Sequence, residues 1–405
     1  MWKQIRPLLN YIHLYAGLLS AVVVIAVCFT GTLYVYNTEI REFFDSERYF
    51  ISAQGNPKTL EELKSGLQPL QQGKLVSITT YSGANRTVQF QVKTESEEKV
   101  TTYFVDPYSG KILADNAKKT ASEELMGYVF SMHRWLLLDK VDTPILESMT
   151  NQELGRLING VATSLFLLGV LTGIFLWLPK KAKNWKQGLS VKWSGNWKRI
   201  NHDLHNTLAF YSILSLFIMA VTGPFWSFGW YKTGWQKTWD TYQAPIEEKK
   251  VEPAKEVNTP DLGFADSSEF SEPILIPLDE AVAEVNKHLN YAGVVKLTFP
   301  EDPEGDLAVS KSRTGIFVRA GADQLKLNAQ TLKLKEKVLF AELPVRQQIG
   351  KSVKALHTGE IFGQFTKFLW AVACAIATSL PITGTLIWWN KRNKKRGAKG
   401  DQKAD

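Results

Sequence analysis

His13-Leu-Tyr-Ala-Gly-Leu-Leu-Ser-Ala-Val-Val-Val-Ile-Ala-Val-Cys-Phe-Thr-Gly31 runs from a histidine to a Thr-Gly pair without one charged residue. About 20 apolar residues are what a helix needs to cross a hydrocarbon layer of about 30 Å. Residues 14–36 meet that length, and so do 157–178, 207–230 and 366–389. A buried soluble helix seldom stays apolar on every face for so long, so four membrane spans are expected. The first is too long for the apolar core of a signal peptide, and no convincing small-x-small cleavage site follows it, so it is expected to stay as an anchor.

The remainder is polar, and charge decides its placement. The chain of 405 residues carries a net charge of +8. That charge clusters by topology, not as a patch for nucleic acid. Residues 180–199 hold Lys180, Lys181, Lys183, Lys186, Lys192, Lys198 and Arg199 with no acid, and the tail 390–405 is also Lys/Arg-rich. Under the positive-inside rule, the loop 179–204, the tail and the N-terminus face the cytoplasm of a bacterium, and 37–150 and 231–356 face outward from its inner membrane. Both cysteines, Cys28 and Cys374, fall inside spans, so no disulfide framework is expected outside, and no Cys-x-x-Cys is present. Metal chemistry would have to use histidine.

An internal repeat orders the chain. Phe29-Thr30-Gly31, Leu171-Thr172-Gly173, Val221-Thr222-Gly223 and Ile382-Thr383-Gly384 recur once per span, and His13 precedes Thr30 by the same 17 residues that separate His205 from Thr222. Two units follow, about 1–190 and 191–395. Each reads as a helix in (1–36, 205–230), an outer segment, a histidine and a helix back. Within the first outer segment, 60–70 suits a helix, 76–80, 87–92 and 101–105 suit strands, and Asp106-Pro-Tyr-Ser-Gly110 suits a tight turn. In the second, 278–289 has helical spacing, 294–299, 315–319 and 324–327 suit strands, and 244–274 is a linker rich in Pro, Glu and Lys. The expected fold is an α-helical integral membrane protein, a four-helix bundle with two outer α+β domains.

Tyr103-Phe-Val-Asp-Pro-Tyr-Ser-Gly-Lys-Ile-Leu113 resembles the end of a PepSY domain, and His13-Leu-Tyr-Ala-Gly17, His133-Arg134-Trp135, Asp203-Leu204-His205 and Leu356-His357 resemble the PepSY-associated transmembrane family. The resemblance covers nearly the whole chain. It implies PepSY-like periplasmic domains and a relation to di-haem inner-membrane reductases of iron–siderophore complexes.

Topology sorts the six histidines without that resemblance. His13 and the pair His202/His205 begin helices on the cytoplasmic side, and His133 and His357 precede helices on the outer side. A b-type haem needs two axial ligands, so two haems b are expected, one on His13 and His205 and one on His133 and His357. His202, three residues before His205, is an alternative ligand or lies above the haem. Arg134 and Arg156 are propionate partners or ordinary boundary arginines. The Thr-Gly pairs either clear space for a flat macrocycle or pack helices. His288 reads as a solvated helix residue. Residues 225–242 hold eight aromatics, an interfacial belt or a docking surface helped by Lys232 and Lys237.

With no nucleotide-binding glycine motif in the chain, electrons would come from a flavin, a quinol or a protein partner. The family resemblance makes the acceptor a ferric siderophore. The competing readings are a quinol-oxidising cytochrome b, a non-enzymatic PepSY binding or regulatory protein, and a permease.

Overall fold

The computed structural model describes residues 2–67, 73–94, 100–178, 182–244, 276–302 and 305–401. Most of the linker expected over 244–274 lies outside them, as do Lys180 and Lys181 of the basic loop.

In chain order the helices used below are α1 (Trp2–Tyr34), α2 (Asn37–Phe44), α3 (Ser46–Tyr49), α4 (Leu60–Ser65), α5 (Ala121–Trp135), α6 (Asn151–Trp177), α7 (Trp197–Thr222), α8 (Gly229–Thr238), α9 (Leu278–His288), α10 (Val345–Lys351), α11 (Val353–Thr358) and α12 (Gln364–Asp401). Among the described residues, four helical stretches are long and apolar enough to cross a membrane: Gln4–Tyr34, Asn151–Trp177, Trp197–Trp226 and Gln364–Asn393. They overrun the expected spans because capped polar turns extend them. Thr150 and Glu153 form a capping box at the start of α6, and the Asn196 side chain caps α7. In the third stretch α7 gives way after Thr222 to a 3-10 turn over Gly223–Trp226 that holds Pro224, whose ring cannot continue an α-helix. Helix α1 lies between α6 and α12, and α7 between the same two, so α1 and α7 face each other across the bundle.

The strands are β1 (Gly73–Tyr81), β2 (Val88–Thr94), β3 (Val100–Val105), β4 (Ile112–Asp115), β5 (Gly293–Thr298), β6 (Asp306–Arg313), β7 (Ala322–Asn328) and β8 (Leu334–Val338). Two separate domains were expected, but these strands form one antiparallel sheet in the order β4-β3-β2-β1-β5-β6-β7-β8. The join is β1 to β5, with Ile78 opposite Leu297. Each unit thus contributes a helix and four strands to a shared sheet.

The apolar sides of α4 and α9 cover one sheet face. Leu60, Leu63 and Leu67 meet Ile78, Phe90 and Val105, and Ala281, Val285 and Leu289 meet Leu297, Leu307, Leu325 and Leu327. Leu278 of α9 belongs to the core over the first four strands, so the two cores are sewn together. The helix starts are also reciprocal: Asp279 accepts from the Leu60 and Glu61 amides, and Glu61 accepts from the Asp279 amide. The opposite face carries Tyr49 and Arg48 of α3 against Phe104. Arg48 and Arg41 of α2 pair with Glu123, at the start of α5. The Asp106 turn forms as expected, with Asp106 accepting from the Tyr108 amide at 2.9 Å. Residues 315–319, expected as a strand, are a turn and bend instead.

Candidate functional site: two histidine pairs

His13 of α1 and His205 of α7 face each other across the bundle with ring centres 6.4 Å apart. His133 and His357 do the same at the sheet end, at 6.3 Å. These two pairings are the expected ones, and as expected the sheet-end histidines precede the membrane spans. His133 sits in the last turn of α5 and His357 in the last turn of α11, two short helices that enter the mouth of the bundle.

Both short helices stop abruptly. Leu136 and Leu137 take left-handed φ values of 55° and 62°, and Gly359, two residues after His357, has φ 79°. A left-handed leucine costs roughly 1–2 kcal/mol, so the break after His133 is held by its surroundings. The Asn159 amide of α6 donates to the His133 carbonyl at 2.6 Å. A Cβ at Gly155 would lie 2.2 Å from the Trp135 carbonyl oxygen, so only glycine lets the end of α5 approach α6. The Trp370 indole donates to the Leu356 carbonyl at 2.9 Å and steadies α11 in the same way.

Each Thr-Gly pair is a seat for one histidine. His13 Nδ1 lies 2.9 Å from the Gly169 carbonyl and 3.2 Å from Thr172 Oγ1. His133 Nδ1 lies 3.0 Å from the Val27 carbonyl and 3.4 Å from Thr30 Oγ1. His205 Nδ1 meets Thr383 Oγ1 at 2.8 Å and also bonds the Leu380 backbone. His357 Nδ1 meets Thr222 Oγ1 at 2.9 Å and also bonds the Met219 backbone. The carbonyl always comes three residues before the threonine. The adjoining glycine makes room for the ring, because a Cβ at Gly31, Gly173 or Gly384 would stand 3.2–3.3 Å from the Cε1 of His133, His13 or His205. At Gly223 the methyl of Thr163 is nearer, at 2.9 Å, with His357 Cε1 at 3.7 Å. At Gly31, Gly173 and Gly384 the glycine therefore accommodates an imidazole, a role other than the macrocycle clearance or helix packing expected of it, whereas at Gly223 it admits Thr163 of α6, which is helix packing.

The seats also decide where the ring proton sits. Each threonine hydroxyl donates back to its own helix, as Thr30 does to Ala26, Thr172 to Leu168, Thr222 to Ile218 and Thr383 to Ser379. Threonine oxygen and carbonyl are thus acceptors, which places the proton on Nδ1 and leaves the Nε2 lone pair free, the tautomer of a metal-binding histidine.

The spacing fits one ion per pair. With a nitrogen–metal bond of about 2.0–2.1 Å and about 1.1 Å from nitrogen to ring centre, collinear imidazoles around one ion have centres about 6.3 Å apart. No group of three or more His, Cys, Asp or Glu suited to a metal ion occurs among the described residues. Two imidazoles are half a zinc shell but the full axial set of a haem.

Of the other expected residues, His202 is half exposed and receives the Asn206 amide at 3.1 Å, so His205 is the one that meets His13. His288 pairs with Glu284 on α9. Arg134 donates to the Trp226 carbonyl at 3.4 Å. Burial, and then the Arg156 guanidinium beside it, lower the Arg134 pKa. Arg156 Nε is buried with no hydrogen-bond partner among the described residues. Two adjacent guanidiniums beside His133, one with an orphaned donor, suit the carboxylates of a bound haem. The aromatic stretch divides: Trp226 lies against His357 at 5.0 Å, Trp235 is buried and donates to the Gly350 carbonyl at 3.2 Å, and Trp230 is exposed. The contact of Tyr34 with His133, ring centres 6.4 Å apart, went unforeseen; its only sequence signal is a tyrosine at the end of a span.

A family model described as the PepSY-associated TM region matches residues 11–391. The chain belongs to that family. A comparison with curated proteins finds no match. All four seated histidines of this PepSY-associated membrane protein, and all four seats, fall within the matched residues.

Proposed function

We propose that this multi-pass protein is an inner-membrane di-haem b reductase, with both termini cytoplasmic, that passes electrons from the cytoplasmic side to ferric-siderophore complexes in the periplasm. The observation that carries the reading is the pair of facing imidazoles at each end, with Nδ1 committed to a seat and ring centres 6.3–6.4 Å apart.

Bound haem supplies a one-electron iron couple whose potential follows ligation and burial. The chain's own residues do the rest. His13 and His205 hold one group near the basic loop, and His133 and His357 hold the other beneath the sheet. Arg134 and Arg156 balance its carboxylates. Between the two ends Val170, Leu216, Ala373 and Ala377 form a dry core with Phe166 and Met219 packed against it. The 17 residues from His13 to Thr30 rise about 25 Å, so α1 carries a ligand of one site and a seat of the other. Reduction to Fe(II) weakens the hold of hard anionic oxygen donors on the metal, which favours release. The donor class stays a flavin, a quinol or a protein.

Lys186 and Lys192 lie between α6 and α7, and Lys198 and Arg199 in the first turn of α7, at the end remote from the sheet, which supports a cytoplasmic position for that end. Purified protein from haem-replete cells should be red, with low-spin bis-histidine difference bands and two haems per chain by pyridine haemochrome assay. A colourless preparation overturns the reading. His357→Ala should keep one haem that a cytoplasm-side donor reduces while reduction of an external ferric siderophore fails. Normal turnover in a variant that has lost that haem would exclude it as the exit. A reporter fused after residue 190 should be active only in the cytoplasm; activity on the other side would reverse the direction of flow.

A further inference from the structure

The turn after β6 turns its apolar side chains outward. Ile316 is 65% exposed and Phe317 75% exposed. Nothing in the sheet core uses them, yet their backbone is fixed. The Phe365 amide donates to the Ile316 carbonyl at 3.4 Å, the Ala320 amide donates to the Ile361 carbonyl at 2.9 Å, and the Phe317 and Phe365 rings are 5.4 Å apart. A Cβ at Gly363, whose φ is 72°, would stand 2.7 Å from the Ile316 carbonyl oxygen, so the turn lies directly on the chain entering α12.

From that point the exposed apolar surface is continuous. Phe362, in the turn just before α12, leads to Phe365, Phe368, Leu369 and Val372, which run down α12 into the membrane span. Helix α2 borders the same place, because Glu39 accepts from Gln364 at 2.7 Å and from Lys367 at 2.8 Å. It exposes Phe43 and Phe44.

We propose that the turn 315–318 dips into the bilayer beside α12 and anchors the sheet to the membrane surface. The occupant is lipid, at the boundary between headgroups and acyl chains. Continuity with the lipid-facing side of α12 argues for it, and so does chemistry: an apolar tip closed on a membrane-spanning helix is an interfacial anchor. The anchor gives the β5–β8 half a hold on the membrane in addition to its chain connections, and so fixes its height over the His133/His357 end.

Full-length protein in lipid nanodiscs tests this. Ile316→Cys and Phe317→Cys, each labelled with the fluorophore NBD, should show blue-shifted emission that phospholipids brominated on their acyl chains quench and aqueous iodide quenches weakly. Lys335→Cys, on the outer edge strand, should give the opposite pattern. The unsubstituted chain controls for labelling of Cys28 and Cys374. Strong iodide quenching without bromine quenching at both positions would overturn the proposal in favour of water. Protection from both quenchers would overturn it in favour of a protein cover.

Discussion

Four threonines hold four imidazoles with unequal grip. Thr383 and Thr222 approach their histidines at 2.8 and 2.9 Å, Thr172 at 3.2 Å and Thr30 at 3.4 Å, the last beside a shorter bond from His133 to the Val27 carbonyl. Valine keeps the shape of threonine and removes the acceptor. Thr383→Val should therefore weaken haem retention at the His13/His205 end by about 10–100-fold, and Thr30→Val should change the other end little, as measured by haem titration of the apoprotein. No loss from either substitution would show that the carbonyls alone make the seats. Gly31→Leu should displace His133 and cost that end its haem, whereas Gly17→Ala, where an added Cβ meets nothing within 4 Å, should leave both intact. The recurrence of Thr-Gly is legible in the sequence. What sits on it is not, because the partner histidine lies 103 to 178 positions away, and no local period encodes a contact at that distance.

At the scale of elements, the exit of α1 is clamped to the entry of α12. Lys367 is almost fully buried and meets Glu39 of α2 at 2.8 Å and Glu360 at 3.3 Å. Burial alone would raise the Glu39 pKa, but hydrogen bonds from Lys367 and Gln364 hold it below the ordinary value. A depressed carboxylate stabilises the fold above its unfolded pKa of about 4.3, and that contribution disappears as pH falls through the folded value. Glu39→Gln should accordingly lower the Tm at neutral pH and converge on the parent protein as pH drops below about 4, a comparison to be made by thermal unfolding in one detergent. Lys367→Met strands Glu39 and should cost about 1–3 kcal/mol, between an exposed pair and a buried one. The long elements were readable because about 20 apolar residues have few alternatives in water. Strand β8 escaped notice because Lys335, Glu336 and Lys337 fill it at the sheet edge, β6 because serines and the buried Lys311 interrupt its apolar pattern, and β4 because it is only four residues long. The apolar run 315–319 misled for the opposite reason, since β-branched and aromatic residues also suit a lipid-facing turn.

On the scale of the whole molecule, neither site belongs to one repeat. His13 and His133 come from the first unit, and His205 and His357 from the second, so a chain cut in the loop 182–196 leaves each fragment with one ligand per site. The two fragments expressed together should bind two haems. Either fragment held as a single copy should lack a bis-histidine spectrum, and a complete bis-histidine haem in one monomeric fragment would contradict the shared arrangement. The sharing of the sites was legible in the pairing of His13 with His205 and of His133 with His357; the sharing of the sheet was not, because the choice of β5 as partner for β1 is made across more than two hundred residues of chain. The antiparallel contact of β1 with its own counterpart is the geometry that two copies of one strand adopt across a dyad. The histidine pairs, each taking one ring from either unit, and the exchanged caps of α4 and α9 obey the same operator. The molecule is thus built as an isologous homodimer would be, with both protomers on one polypeptide. In a true homodimer every substitution appears twice. Here a substitution has no twin, so the two histidines of each pair can be tuned separately, as the unequal threonine distances already show.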